Sequence, residues 1–408
     1  MPRRVRKSVN VLLCLVAVAA IGWSGSEIWQ VLRGRQQIDE ACAGIVPPGR
    51  VLSLSPAGGT ISHRVADEGT IELDAALPQD CEIFSTEAGE KHGTHTGERW
   101  FFTGAVGALP EKSVVADDPL EDLLDPYRGP TYPAQPLGGG VAGVVTDTGV
   151  MVQLPCPKGL SNGFPVTDVW ARAELMDPGP QFTENGQLSS DDRQTLAEIA
   201  VAGANNLAER VGCADRLPDP PSDIPALTEG PVPAARAQGT CAWYGKAGFS
   251  RRRGLPDQVL ESRTDDRLWD ESCALVLSDS RARALWTAGA DHDIIDPGRP
   301  GQYFVSLHTY AGEEATTVRL TDTRYDEPMD NAEPGKAGRS SNDPVWWASS
   351  VCDGRPQIHT MTAAYGYDRL MTPALEKVFR AYVTDVTERR GCSRVKFPAA
   401  STFQTDTP

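Results

Sequence analysis

The chain has 408 residues, more than one small core accommodates, with 39 Gly, 32 Pro and a formal charge of −16. That Gly and Pro content excludes an all-helical bundle. The acidity excludes a broad basic face for nucleic acid, acidic polymers or lipid headgroups.

Residues 8–26 carry no charge. At ~1.5 Å per residue a stretch of this length reaches about 28 Å, one hydrocarbon core. Arg3, Arg4, Arg6 and Lys7 precede it and Glu27 follows. The positive-inside rule then puts residues 1–7 in the cytoplasm and the rest outside. A signal peptide cleaved near Ala17-Val18-Ala19 is the rival reading. The apolar run continues through Ile21 and Trp23, which favours an uncleaved single-pass anchor in the cytoplasmic membrane. Cys14 follows Leu13, where a lipoprotein needs a small residue. Residues 27–41 continue as a helical stalk.

Beyond Cys14 the other eight cysteines fall into two sets of four: Cys42, Cys81, Cys156, Cys213, then Cys241, Cys273, Cys352, Cys392. Matched even sets in an exported chain read as disulfides. None forms C-x-x-C, so no metal and no redox cofactor is expected.

The first module covers residues 42–215. A Cys-anchored turn after Pro47-Pro48, strands in ISHRVADEGTIELD and CEIFS, and the strand RWFFTGAV follow in order. Residues 108–140 form a Pro-, Gly- and Asp-rich excursion ending in Gly138-Gly139-Gly140. VAGVVTDTGVMVQLPC reads as a hairpin turning at Thr146–Gly149, and VTDVWARAEL as the next strand. A helix capped by Ser189 or Ser190 closes the module at Gly212-Cys213. Residues 216–238 form a Pro-rich linker.

The second module, residues 239–397, repeats the order. CALVLS opens on Cys273, and ARALWTAGA takes the place of RWFFTGAV. GQYFVSLHTY, TTVRLTD, VWWASSVC and IHTMTAAYG read as strands. A helix entered at Thr372-Pro373 closes at Gly391-Cys392. Residues 398–408 read as a disordered tail. The two closing helices align without a gap: Leu196 with Leu375, Glu209-Arg210 with Glu388-Arg389, Gly212-Cys213 with Gly391-Cys392. The expected fold class is therefore α+β: two tandem homologous modules, each a mainly antiparallel sheet with a C-terminal helix packed on it. In each set the third Cys ends a core strand and the fourth ends the helix on that sheet. The expected pairs are Cys42–Cys81, Cys156–Cys213, Cys241–Cys273 and Cys352–Cys392.

The anchor, Cys42-Ala43-Gly44, Gly138–Gly140 before the strand Val150–Cys156, and the Leu196–Cys213 helix, with the duplication, resemble uncharacterised membrane-anchored surface proteins of high-GC actinobacteria. A weaker similarity is to two-disulfide extracellular sensor domains of those bacteria. Neither resemblance implies an activity or carries over a site residue.

Several short motifs have structural explanations. Gly159-x-Ser161-x-Gly163 matches a nucleophile elbow, but an alternating run rather than a helix follows it, so a hairpin turn is the better reading. Asp147-Thr148-Gly149 lacks the second Asp-Thr/Ser-Gly that an aspartic protease needs. His92 and His95 supply two nitrogens and no third ligand, with His292 in the other module. No catalytic residue is assigned. Trp346, Trp347 and Arg252 are the candidate binding residues. Adjacent on a strand, one of the Trp pair faces out. The expected function is a non-enzymatic binding or sensing module for an envelope or protein partner. An envelope scaffold is the alternative and a hydrolase the least favoured.

Overall fold

A computed structural model describes residues 3–64, 79–91, 97–109, 132–161, 163–176, 183–184, 186–290, 295, 297, 303–316, 318–320, 331–340, 344–364 and 366–404. It is a mixed α+β protein with two large antiparallel sheets. The first holds seven strands: β1 (Ile61–His63), β2 (Gln79–Ser85), β3 (Arg99–Leu109), β4 (Gln135–Gly138), β5 (Val141–Val145), β6 (Gly149–Ser161) and β7 (Phe164–Leu175). Their order is β1-β2-β3-β7-β6-β5-β4. A two-residue hairpin, β8 (Thr183–Glu184) with β9 (Gln187–Leu188), precedes the first closing helix, Ser190–Val211.

The second sheet holds β10 (Val232–Pro233), β11 (Gln258–Glu261), β12 (Asp270–Val276), β13 (Phe304–Ala311), β14 (Gly338–Arg339), β15 (Val345–Cys352), β16 (Arg355–Ala363) and β17 (Ser393–Lys396). Its order is β10-β11-β12-β13-β16-β15-β14, with β17 also pairing β15. The central order β2-β3-β7-β6 of the first sheet has the same form as β12-β13-β16-β15 of the second. The cysteines occupy matching strands: Cys81 and Cys273 in the first of each four, Cys156 and Cys352 in the last.

Each closing helix follows from its sequence. Ser189 caps the first by accepting from the Asp192 N–H at 3.1 Å. Leu196, Ile199, Ala200 and Leu207 are buried against Val169, Ala171, Ala173 and Leu175, the inward alternate residues of β7. Gly203 brings the helix close: a methyl there would sit 3.5 Å from the Ala171 Cβ. Both helices end the same way, with the Cys213 N–H bonded to the Ala208 carbonyl and Cys392 to Thr387, each at 2.8 Å across a glycine of positive φ. The final Cys is thereby turned back onto the sheet. Sulfur–sulfur bonds join Cys42 to Cys81, Cys156 to Cys213, Cys241 to Cys273 and Cys352 to Cys392.

The apolar interior falls into three clusters. One lies between residues 38 and 227. The other two lie on opposite faces of the second sheet. Among the described residues none crosses between the sheets.

A continuous helix, Arg3–Ala41, enters the first core, where Ile38 is fully buried and Gly34 fits against Ile61 and Leu52. Among the described residues no helix is long and apolar enough to cross a membrane; the side chains of 3–12 and 19–27, which include most of the expected span 8–26, lie outside that set.

Four expectations are corrected. ARALWTAGA is not a strand: Asp279–Thr287 is a helix, capped by Ser278 Oγ accepting from the Arg281 N–H, and β13 is the neighbour of β12. TTVRLTD yields an isolated Arg319–Asn331 bridge among its described residues. The second closing helix starts at Tyr367, with Pro373 inside it. Residues 398–404 are ordered: Ala400–Phe403 forms a short 3-10 helix that stacks Phe403 on Trp346, with ring centroids 5.4 Å apart. An aromatic in a terminal polar stretch was the signal for docking.

Candidate functional site

The stretch read as a linker is tied to both sheets. Leu217, Ile224 and Leu227 pack into the first core. Asn205 holds Leu217 by both backbone groups, at 2.8 and 3.1 Å, and Gln187 holds Leu227 likewise, at 2.8 and 3.0 Å. Five residues on, β10 adds to the edge of the second sheet against β11. Residues 228–231 span the gap, and Thr228, Glu229 and Gly230 line a cleft of about 560 Å³.

Its walls come from both halves. Pro133 and Gln135 stand on one side, and Arg236, Glu261, Arg263 and Thr264 on the other. Gln135 locks the walls, donating to the Glu261 carbonyl at 3.1 Å and accepting from the Arg263 N–H at 3.0 Å. The Arg263 guanidinium reaches the Pro136 carbonyl at 2.8 Å. The Glu261 carboxylate accepts from the N–H groups of Gln238, Gly239 and Cys241, at 2.8, 2.8 and 3.3 Å. That nest of amides neutralises it. Arg236 is exposed and makes no ion pair among the described residues. The cleft therefore offers guanidinium and amide donors with a hydroxyl beside them, and its lining holds no Cys, His or aromatic side chain. It is equipped to hydrogen-bond a polar ligand, and the Thr228, Ser262 and Thr264 hydroxyls and the Glu229 carboxylate line it as well.

A second polar contact joins the sheets. Gln153 on β6 donates through Nε2 to Glu314 Oε1 at 3.3 Å, and it also hydrogen-bonds Asp168 on β7. All three side chains are nearly inaccessible, at 5–6% exposure. Burial pushes the Asp168 carboxyl up to about 6, helped by Glu313, and the Glu314 carboxyl up to about 7, helped by Asp168 and Asp270.

The residues singled out from sequence lie elsewhere. Trp346 and Trp347 do face opposite sides of β15, but both are buried, one under the second closing helix and the other in the cluster on the far face. The helix covers one side of this sheet and residues around Ala315–Leu320 cover the other, so both rings pack within the chain's own core. Arg252 is exposed beside the Phe249 ring, away from the cleft lining. Ser161 ends β6 in a tight hairpin with Phe164, and Asp147 sits in the β5–β6 turn. His92, His95 and His292 lie outside the described residues. Among the described residues no group of three His, Cys, Asp or Glu is arranged to hold a metal ion.

Sequence reasoning passed over Gln135, Gln153, Asp168, Arg263 and Glu314. A polar residue inside an apolar strand, as in VMVQLPC, was the one available signal. No family model, curated protein or solved structure matches the chain.

Proposed function

We propose that the chain is a membrane-anchored extracytoplasmic protein whose two homologous modules bind a polar envelope component or protein partner in the cleft between them. The observation that carries the reading is the cleft itself, walled by both sheets and floored by the linker, with Arg236 unengaged in it. Four disulfides fit an oxidising compartment. An uncharged run at 8–26 on the helix that enters the first core fits an anchor held close to the bilayer. The matched strand orders and the matched helix ends support a duplication.

The test is capture from solubilised envelope by the full chain in detergent, comparing wild type with Arg236→Glu and with Thr264→Trp, which fills the cleft. A component retained by wild type and lost from both variants supports the reading. Equal retention by all three overturns it and points to a scaffold.

A further inference from the structure

We propose that Asp168, Gln153 and Glu314 form a proton-dependent clasp that tightens the contact between the two modules under acid and loosens it toward neutral pH. This goes beyond the cleft reading and does not depend on any ligand.

The clasp stands on geometry. Gln153 Nε2 donates to Glu314 across the contact at 3.3 Å, and Asp168 faces the same amide from the neighbouring strand, in a place almost closed to water; the amide favours the ionised carboxyls and burial outweighs it. Asp168 Oδ2 and Gln153 Oε1 are both buried with no hydrogen-bond partner among the described residues. A bare carboxylate oxygen in such a place is costly, and two carboxylates facing one amide repel. A neutral carboxyl avoids both penalties. Among the described residues no apolar cluster crosses between the modules, so polar contacts hold them together, this one beside the Gln135 and Arg263 bonds at the cleft.

Among the described residues the other charged groups facing the pair are these. Glu313 raises both carboxyls, Asp270 raises Glu314, and Arg355 favours ionised Asp168. His308 touches Asp270 at 3.0 Å.

Released into water, the two acids ionise near their ordinary values of about 4. Clasped, they hold protons to about 6 and about 7. Their contribution is therefore complete below about pH 4 and is lost as pH rises through the clasped values.

The test is energy transfer between a donor and an acceptor on exposed Lys158 and Lys377 of the full chain in detergent, from pH 5 to pH 8. Wild type should lose transfer as pH rises, with the change centred between about 6 and about 7. Asp168→Asn with Glu314→Gln should hold the low-pH transfer throughout. If the double variant fails to fold, judged by near-ultraviolet dichroism, Glu314→Gln alone should keep only the lower step. A flat wild-type profile overturns the clasp. So does a double variant that titrates like wild type, or a response that His308→Gln abolishes.

Discussion

Arg390 donates to the Glu271 carboxylate at 2.8 Å, and neither side chain reaches solvent, at 3% and 0% exposure. Arg389, its neighbour at the end of the second closing helix, grips the same carboxylate from the other side. Glu271 lies on β12, two residues from Cys273, so this pair ties the helix end to the strand independently of the disulfides. Removing one partner from a buried pair leaves uncompensated charge, at a cost of about 3–5 kcal/mol. Glu271→Ala should lower the unfolding midpoint of the second sheet's core in denaturant accordingly, while Glu376→Ala, on a half-exposed pair of the same helix, should shift it by less than about 1 kcal/mol.

His359 gives the second module a pH dependence opposite to that of the clasp. It is fully buried on β16, hydrogen-bonded to Thr309 and Ser350 at 2.9 Å each, and burial holds its imidazole down at about 3. An unfolded histidine binds its proton near pH 6.5, so this contribution is present above about 6.5 and is lost as pH falls toward the folded value. Chemical denaturation should show stability declining by up to about 1.4 kcal/mol per pH unit below about pH 6. His359→Gln should flatten that slope; an unchanged slope would assign the effect to other groups.

Much of the architecture was legible because the cysteines and helix stops carry strong local signals. Gly212-Cys213 and Gly391-Cys392 fix a helix end whatever surrounds it, and alternation in VTDVWARAEL fixes β7. The errors have a common origin in tertiary context. Residues 279–287 contain apolar residues that serve a half-exposed helix as well as a strand, and Ser278 with Asp279 decided the matter. The aligned Arg210 and Arg389 do different work: Arg210 reaches the Ala43 carbonyl, Arg389 a buried carboxylate. The site was less legible still. Gln135, Arg263 and Glu314 act through contacts more than 120 residues away in sequence, and no local pattern marks them.

The four disulfides should each contribute roughly 4 kcal/mol by loop closure, since they enclose loops of 32 to 57 residues. Replacing Cys352 and Cys392 together by Ser should therefore destabilise the second module strongly while leaving the first module's unfolding transition in place. Peptide mapping without reduction should recover four bridges, each within residues 42–213 or 241–392. A bridge between those ranges would overturn the division into two independently stapled cores.

The C-terminal segment supplies the sharpest local test. Trp346 donates from its indole N–H to the Thr402 carbonyl at 2.9 Å, and its ring stacks on Phe403, which also meets Phe379 of the second closing helix. Phe403 is 3% exposed, so the segment closes the core where that helix meets β15. Truncating its side chain removes a buried aromatic and leaves a cavity, worth about 3 kcal/mol or more. Phe403→Ala should lower stability by about that amount and shift tryptophan emission to the red as water reaches Trp346. Deleting residues 399–408 should do the same or more. Unchanged emission and stability in both variants would mean that the segment is a passive tail and that the second core is complete without it.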